Sequence, residues 1–309
     1  MTTSNEVRIE NCTICNYSCK FCPHPTASFT RKKEIMSNDL FKFLLTKVKY
    51  EAPQITDCTI SGFGEPFLDK GIMDKIAFAS SLGYNIHIVT NGVYIFKNTL
   101  KEMADNDRIK DIRYSLHTTN SEHYEEITSG KIIEWASVMT NIKHSIKLGI
   151  NTIITADIIE ENKDDVDALI KYWEGKPVTI EVWKPHNWVD WGNYRKVEST
   201  KLTCGRPFNG PLQVQVDGTV NMCCFDYNGK LEIGDLKTQS LNEIFNSDEY
   251  KFISDLHSGK EFDWTNLMCK SCDQRKDNSG IVIYNNKFTE EERLGRTSTN
   301  YRSVENEKN

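Results

Sequence analysis

Nowhere does this chain offer a run of apolar residues long enough to cross a bilayer. Its first residues, Met-Thr-Thr-Ser-Asn-Glu, lack the basic and apolar regions of a secretory signal. A basic excess is missing too: 38 Lys and Arg face 44 Asp and Glu, giving a formal net charge of −6 and a pI near 5.7. Neither a nucleic acid nor a membrane is therefore expected as a partner, and the expected location is cytoplasmic. In that reducing setting the ten cysteines are not to be read as disulfides. They fall in clumps: Cys12, Cys15, Cys19 and Cys22, then Cys58 alone, then Cys204, Cys223, Cys224, Cys269 and Cys272. Two clumps suggest two metal sites. The 309 residues allow one large domain, or a large one with a small one.

Up to about residue 184, strand-like and helix-like segments alternate. Val7 to Ile9 is a short strand leading straight into the first cysteines. Ser37 can cap a helix that carries Leu40, Phe41, Leu44, Leu45 and Val48 at helical spacing. Further strands are predicted at 58–60, 86–89, 109–116, 150–159 and 178–183, with helices at 72–82, 132–148 and 166–173. Six strands with intervening helices imply parallel pairing through right-handed crossovers, short of a closed eightfold barrel. Then the pattern changes. An aromatic connector from Trp183 to Arg195 leads to 212–216 and 219–222, a hairpin turning at Asp217-Gly218. Two helices follow, near 241–245 and 249–257. From about Asn286 the chain is polar and charged, and a flexible tail is expected.

The most informative segment is Cys15-Asn16-Tyr17-Ser18-Cys19-Lys20-Phe21-Cys22, three cysteines spaced C-x-x-x-C-x-x-C. Three thiolates can hold three irons of a [4Fe–4S] cluster and leave the fourth open to a chelating small molecule. Clusters that only transfer electrons usually close all four positions. The competing reading is a zinc loop completed by Cys12 or His24. With Phe21 just before the last cysteine, the segment resembles the signature of the radical SAM superfamily. In that family an electron from the cluster cleaves S-adenosylmethionine (SAM), and the resulting 5′-deoxyadenosyl radical takes hydrogen from a substrate. The resemblance implies an α/β fold, an open partial (β/α)6 barrel with the cluster at its mouth. It also implies a reducing partner such as flavodoxin or ferredoxin.

Further strand ends carry the same resemblance. Gly62-Phe63-Gly64-Glu65-Pro66 looks like the family's glycine–glutamate–proline motif, which gives Glu65 and the backbone at Gly64 a role toward the methionine end of SAM. Asn91, in Thr90-Asn91-Gly92, and Ser115, in Ser115-Leu116-His117, stand where relatives contact SAM. The backbone at Phe21 is expected to help hold the adenine. Residues 155–158 are read mostly as barrel core.

Cys204, then Gly218-x4-Cys223, then Cys269-x-x-Cys272 resembles the auxiliary-cluster region called SPASM, or its shorter form called twitch. With five cysteines to draw on, one [4Fe–4S] cluster held by Cys204, Cys223, Cys269 and Cys272 is the economical reading. Cys224 rivals Cys223, and zinc rivals the cluster. The expected division is a barrel over 1–185, a connector over 186–203, a small α+β auxiliary domain over 204–285 and the tail over 286–309. In the connector, His186 and Arg195 are candidate catalytic or substrate-gripping residues, while the tryptophans are expected to pack the two parts together. Cys58 is expected to be a buried apolar residue. The expected reaction is oxidation of a small polyol or sugar-like alcohol. Sugar epimerisation, with Cys224 as hydrogen-atom donor, comes second. Peptide modification comes third, since no extra leader-binding segment is evident before the barrel. A zinc-stabilised scaffold is the non-enzymatic alternative.

Overall fold

The computed structural model describes residues 4–189, 191–195, 200–261, 263–275 and 281–289. Most of the expected tail, residues 290–309, and part of the connector lie outside them. Six strands form the barrel: β1 (Glu6–Ile9), β2 (Asp57–Ile60), β3 (Asn85–Thr90), β4 (Ile109–Ser115), β5 (Thr152–Asp157) and β6 (Val178–Trp183). They pair in sequence order and all in parallel. Their period-two pattern explains the two faces. On β3, Ile86 and Ile88 are fully buried toward the helices, while His87 and Val89 turn the other way. The lower interior is polar: the His87 ring bridges Asp57 (3.1 Å) and Asp111 (2.5 Å), and Arg113 pairs with Glu181.

Six helices cover the outside: α1 (Asn38–Glu51), α2 (Ile72–Ser81), α3 (Lys97–Ala104), α4 (Ser121–Thr128), α5 (Ile132–Lys147) and α6 (Val166–Trp173). In α1 the expected cap is present, the Leu40 N–H donating to Ser37 Oγ at 3.1 Å. Its stripe of Phe41, Leu44, Leu45 and Val48 is fully buried, each side chain contributing roughly 1.5–3 kcal/mol. Helices α3 and α4 escape the sequence reading. Each has only two or three buried positions, Leu100 and Met103 in one and Tyr124, Ile127 and Thr128 in the other, too few to mark a stripe.

After the connector come a short helix α7 (Arg206–Asn209), strands β7 (Leu212–Val214), β8 (Thr219–Asn221) and β9 (Glu232–Asp235), helices α8 (Leu241–Ile244) and α9 (Asp248–Ser258), and a last strand β10 (Val282–Asn285). The predicted hairpin is there as β7–β8, with Gly218 at φ +92° in its turn, a conformation that favours glycine. The expected boundary between barrel and auxiliary region is not a break in the sheet. β7 pairs in parallel with β1, so one ten-stranded sheet runs β10-β6-β5-β4-β3-β2-β1-β7-β8-β9. Residues 282–285, included in the auxiliary range on the sequence, lie antiparallel to β6 at the far edge of the sheet. No helix among the described residues is long and apolar enough to cross a membrane.

Candidate active site

A cavity of about 370 Å³ opens at the ends of the barrel strands, and its walls include Cys15, Cys19 and Cys22 on one side and Cys223 and Cys224 on another. The first cysteine loop leaves β1 and is pinned by the C-terminal end of α4: Ser18 N–H donates to the Thr128 carbonyl (3.1 Å) and Lys20 N–H to that of Ile127 (2.9 Å). Below it, Tyr124 Oη donates to Tyr17 Oη at 2.9 Å. Burial pushes the Cys15 thiol up to about 11 and that of Cys22 to about 12, and lifts Cys19 well above its ordinary value. Thiolates here therefore need a cation to face, which suits three open ligands of an iron cluster. Cys12 turns away: its Sγ contacts the Ile14 carbonyl (3.3 Å) and accepts from Ile14 N–H (3.2 Å). His24 Nε2 meets the Thr13 carbonyl at 2.7 Å. Neither lines the cavity, and among the described residues no group of three or more His, Cys, Asp or Glu is arranged to hold a single metal ion. The zinc loop is not what this geometry offers.

Glu65 lines the cavity, buried at 2 % exposure. Its carboxylate, expected to face a ligand's ammonium, is occupied mainly by the protein's own donors: Thr90 Oγ1 at 2.6 Å, Asn91 N–H at 2.7 Å and Phe67 N–H at 3.1 Å. Burial raises its pKa, and those three bonds offset part of the rise. Glycine at 64 answers a close approach, because a Cβ there would lie 2.3 Å from the Cys12 carbonyl oxygen. The crowding comes from the cysteine loop, and Gly64 also lines the cavity. Asn91 joins the same loop, its Nδ2 donating to Asn16 Oδ1 at 2.8 Å. Ser115 lines the cavity. At Phe21 the carbonyl accepts from Trp188 Nε1 at 2.7 Å, and the ring lies tilted against that of His117, centroids 4.7 Å apart. Trp188, expected only to pack, is itself a wall of the cavity.

Three features of this wall were not singled out from the sequence. His117 is buried with φ +65°, a strained value for a residue with a side chain, and burial holds its ring neutral, lowering it to about 3. Asp157 ends β5, and burial lifts it to about 6, with Arg195 opposing the rise. Arg8, Gln213 and Asn221 come from the other side, on β1, β7 and β8. Only alternation with buried neighbours could have pointed to them.

The second cysteine set is gathered by α7 and the turns at 268–275. Burial raises Cys204, Cys269 and Cys272, the last up to about 12; Cys269 is further raised by Cys272 and Cys204, and Cys272 by Cys204. Cys223 and Cys224 bond each other, so the pair favours a single thiolate, helped by the guanidiniums of Arg206 and Arg8. His186 and Arg195 are not on the cavity wall. Arg195 Nη1 bonds His186 Nδ1 (2.8 Å) and Asp273 Oδ2 (2.9 Å), while its Nη2 and Nε donate to the Lys184 carbonyl (2.6 and 3.1 Å). The His186 ring lies against Phe225, and burial, with Arg195 beside it, lowers its pKa to about 3. A neutral imidazole locked to an ion pair is a brace between connector and auxiliary region, not a group facing substrate. Cys58 is fully buried, as expected.

Comparison with known proteins places these features. The family model described as "Radical SAM superfamily" matches residues 10–172, and that described as "Iron-sulfur cluster-binding domain" matches 204–273. Among curated proteins, the probable GTP 3′,8-cyclase of Pyrobaculum aerophilum is 28 % identical over 160 residues, covering 51 % of this chain and 50 % of that one. The sporulation killing factor maturation protein SkfB of Bacillus subtilis is 26 % identical over 157 residues, 51 % of this chain and 36 % of that one. The chain thus spans half or less of the length of these relatives. Of solved structures, BtrN in complex with AdoMet and 2-DOIA aligns at TM-score 0.55 and 19 % identity, over 91 % of this chain and 100 % of that one. Streptococcus suis SuiB bound to precursor peptide SuiA aligns at 0.67 and 14 %, over 90 % and 72 %. At such identities the likeness is one of fold.

Proposed function

The chain belongs to the radical SAM superfamily, and from that membership we propose that it oxidises a small polyol or sugar-like alcohol, with a SPASM-type auxiliary cluster as second electron acceptor. The radical SAM domain binds a [4Fe–4S] cluster and SAM, and the SPASM region is a further iron–sulfur cluster-binding domain. The zinc-stabilised scaffold is therefore set aside. One observation carries the proposal: a single cavity, small-molecule in size, is walled by cysteines of both sets.

In this reading Cys15, Cys19 and Cys22 hold the first cluster. Glu65, Asn91 and Ser115 shape the SAM pocket, and the rings of Phe21 and His117, tilted against each other, add ring surface to its wall. Cys204, Cys223, Cys269 and Cys272 hold the second cluster; Cys223 is preferred over Cys224 because it interacts with Cys272. When bound, SAM and its cluster supply a radical able to remove a carbon-bound hydrogen. The alcohol must also lose its hydroxyl proton and one more electron. Asp157, a cavity carboxylate with no hydrogen bond among the described residues, is our candidate for the proton. Trp188, Phe63 and Phe225 line the cavity as well, so apolar rings help to keep water out. An external reductant such as flavodoxin or ferredoxin completes the scheme.

The test is iron and sulfide per chain after anaerobic reconstitution, read with 5′-deoxyadenosine formation under a strong reductant. Roughly eight irons with deoxyadenosine is the expected result; zinc without SAM cleavage would refute the reading. Epimerisation is the second reading, because Cys224 lies on the cavity wall where a thiol could return a hydrogen atom. Deuterium from solvent appearing in recovered substrate, and lost in Cys224→Ser, would favour it over oxidation. Peptide modification stands third, the likeness to SuiB being one of fold alone.

A further inference from the structure

Where β1 meets the hairpin, three polar side chains stand in one row across the sheet. Arg8 pairs in register with Gln213, and Gln213 with Asn221. Register neighbours share a face, and all three line the cavity, while Val7, Ile9 and Leu212, one step along their strands, are buried in the core.

Each of the three has something left to offer. Arg8 Nε bonds Glu6 at 2.8 Å, and Glu6 also accepts from Thr59 Oγ1 at 2.6 Å. That anchors the guanidinium and leaves its two terminal amino groups without a hydrogen-bonding partner among the described residues. Asn221 is 4 % exposed. Its Nδ2 donates to the carbonyls of Cys223 and Asp226, 3.2 Å each, which fixes the amide. Its buried Oδ1 has no partner among the described residues, and neither has the buried Nε2 of Gln213. Buried polar atoms are almost always satisfied, and each exception costs about 1–3 kcal/mol. Two exceptions on one wall, beside an anchored cation, describe a site that awaits a ligand.

Arg8 favours the thiolate of the Cys223–Cys224 pair through space, without a hydrogen bond to it, and the other neighbouring charges leave this role to Arg8. Arg31, the other cavity arginine, is already paired with Glu10. Asp226 accepts from the N–H groups of Leu231 (2.6 Å) and Asn228 (3.3 Å), and Glu65 is occupied as described. Asp157 lies on the His117 side, near the first cysteine loop.

We infer that Arg8, Gln213 and Asn221 form a substrate subsite, and that the substrate carries a carboxylate or phosphate gripped by the Arg8 amino groups, with a hydroxyl or amino group beside it donating to Asn221 Oδ1. This rests on the reading of a small polar substrate in the cavity and narrows it to an acidic one. The anionic end lies next to Cys224, and the rest of the molecule extends toward Cys15, Cys19 and Cys22.

The test is calorimetric titration of reconstituted, SAM-loaded protein with glucose, gluconate and glucose 6-phosphate, three probes that share a hydroxylated body and differ in charge. At least one anionic probe should bind about tenfold more tightly than glucose, and which one does so separates carboxylate from phosphate. Arg8→Gln should close that gap. So should Gln213→Glu, which sets a carboxylate before the guanidinium and serves as the second variant if the first folds poorly. No gap in the unsubstituted protein, whether all three probes bind or none does, overturns the inference, as does a gap that survives both substitutions. Deoxyadenosine formation in the same samples keeps the two readings apart: a closed gap with SAM cleavage intact concerns the subsite alone.

Discussion

Glu65 draws together donors from two strand ends, Phe67 N–H beyond β2 and Thr90 and Asn91 at the end of β3. In Glu65→Gln one oxygen becomes an amide NH2 and is set against a donor, so one buried bond is lost at a cost of about 1–3 kcal/mol. We expect SAM affinity to fall tenfold or more with the circular dichroism spectrum unchanged; an unaltered affinity would refute the role given to this carboxylate. Glu65 was legible in the sequence because it stands in a spaced motif at a strand end, as do Cys15, Cys19 and Cys22. Arg8, Gln213 and Asn221 were not. A polar residue between two buried neighbours on a strand reads as facing solvent, and nothing local says that the other face is the inside of a partial barrel. His186 and Arg195 were chosen by residue type and position. Their burial against Asp273, a residue 78 positions beyond Arg195, is a long-range fact that composition does not carry.

The cysteine loop is short and has little structure of its own, so its shape is borrowed from α4, whose last carbonyls receive Ser18 and Lys20. Sequence periodicity found α1, α2, α5 and α6 and missed α3 and α4, which bury only two and three residues. It also found the hairpin, since Asp-Gly turns are local, and missed the partners of β7 and β10, which lie more than 90 residues away along the chain. The turns carrying Cys269 and Cys272 give the next prediction. Replacing both by alanine should lower iron from roughly eight to roughly four per chain while deoxyadenosine formation persists and substrate oxidation stops. Iron analysis decides it, and an unchanged count would remove these two thiols from the ligand set.

Histidines held neutral by burial make the folded chain sensitive to acid, His24 among them. His117 and His186 are lowered from 6.5 to about 3, and His257 to about 4, mainly by burial. Below pH 6.5 the unfolded chain takes up protons at these rings while the folded chain does not, so stability falls as pH drops through that window. Asp157, raised from 3.8 to about 6, works with the opposite sign between those values and cancels about one of these protons. The urea midpoint of cluster-free protein should therefore decrease between pH 7.5 and 5, and His257→Gln should flatten the slope by about one proton; a midpoint independent of pH would count against the buried, neutral rings. The continuous sheet has a consequence of another kind, in time. Val7 on β1 is paired with Leu212 on β7, a strand synthesised two hundred residues later. At 5–20 residues per second the ribosome needs roughly 10–40 s to cover that distance. Throughout it the outer edge of the first strand is bare and open to mispairing, with the cysteine loop hanging from its end. Pausing of translation anywhere in between lengthens the exposure, and the damage would be counted in the yield of soluble chains, not in the turnover of those that finish.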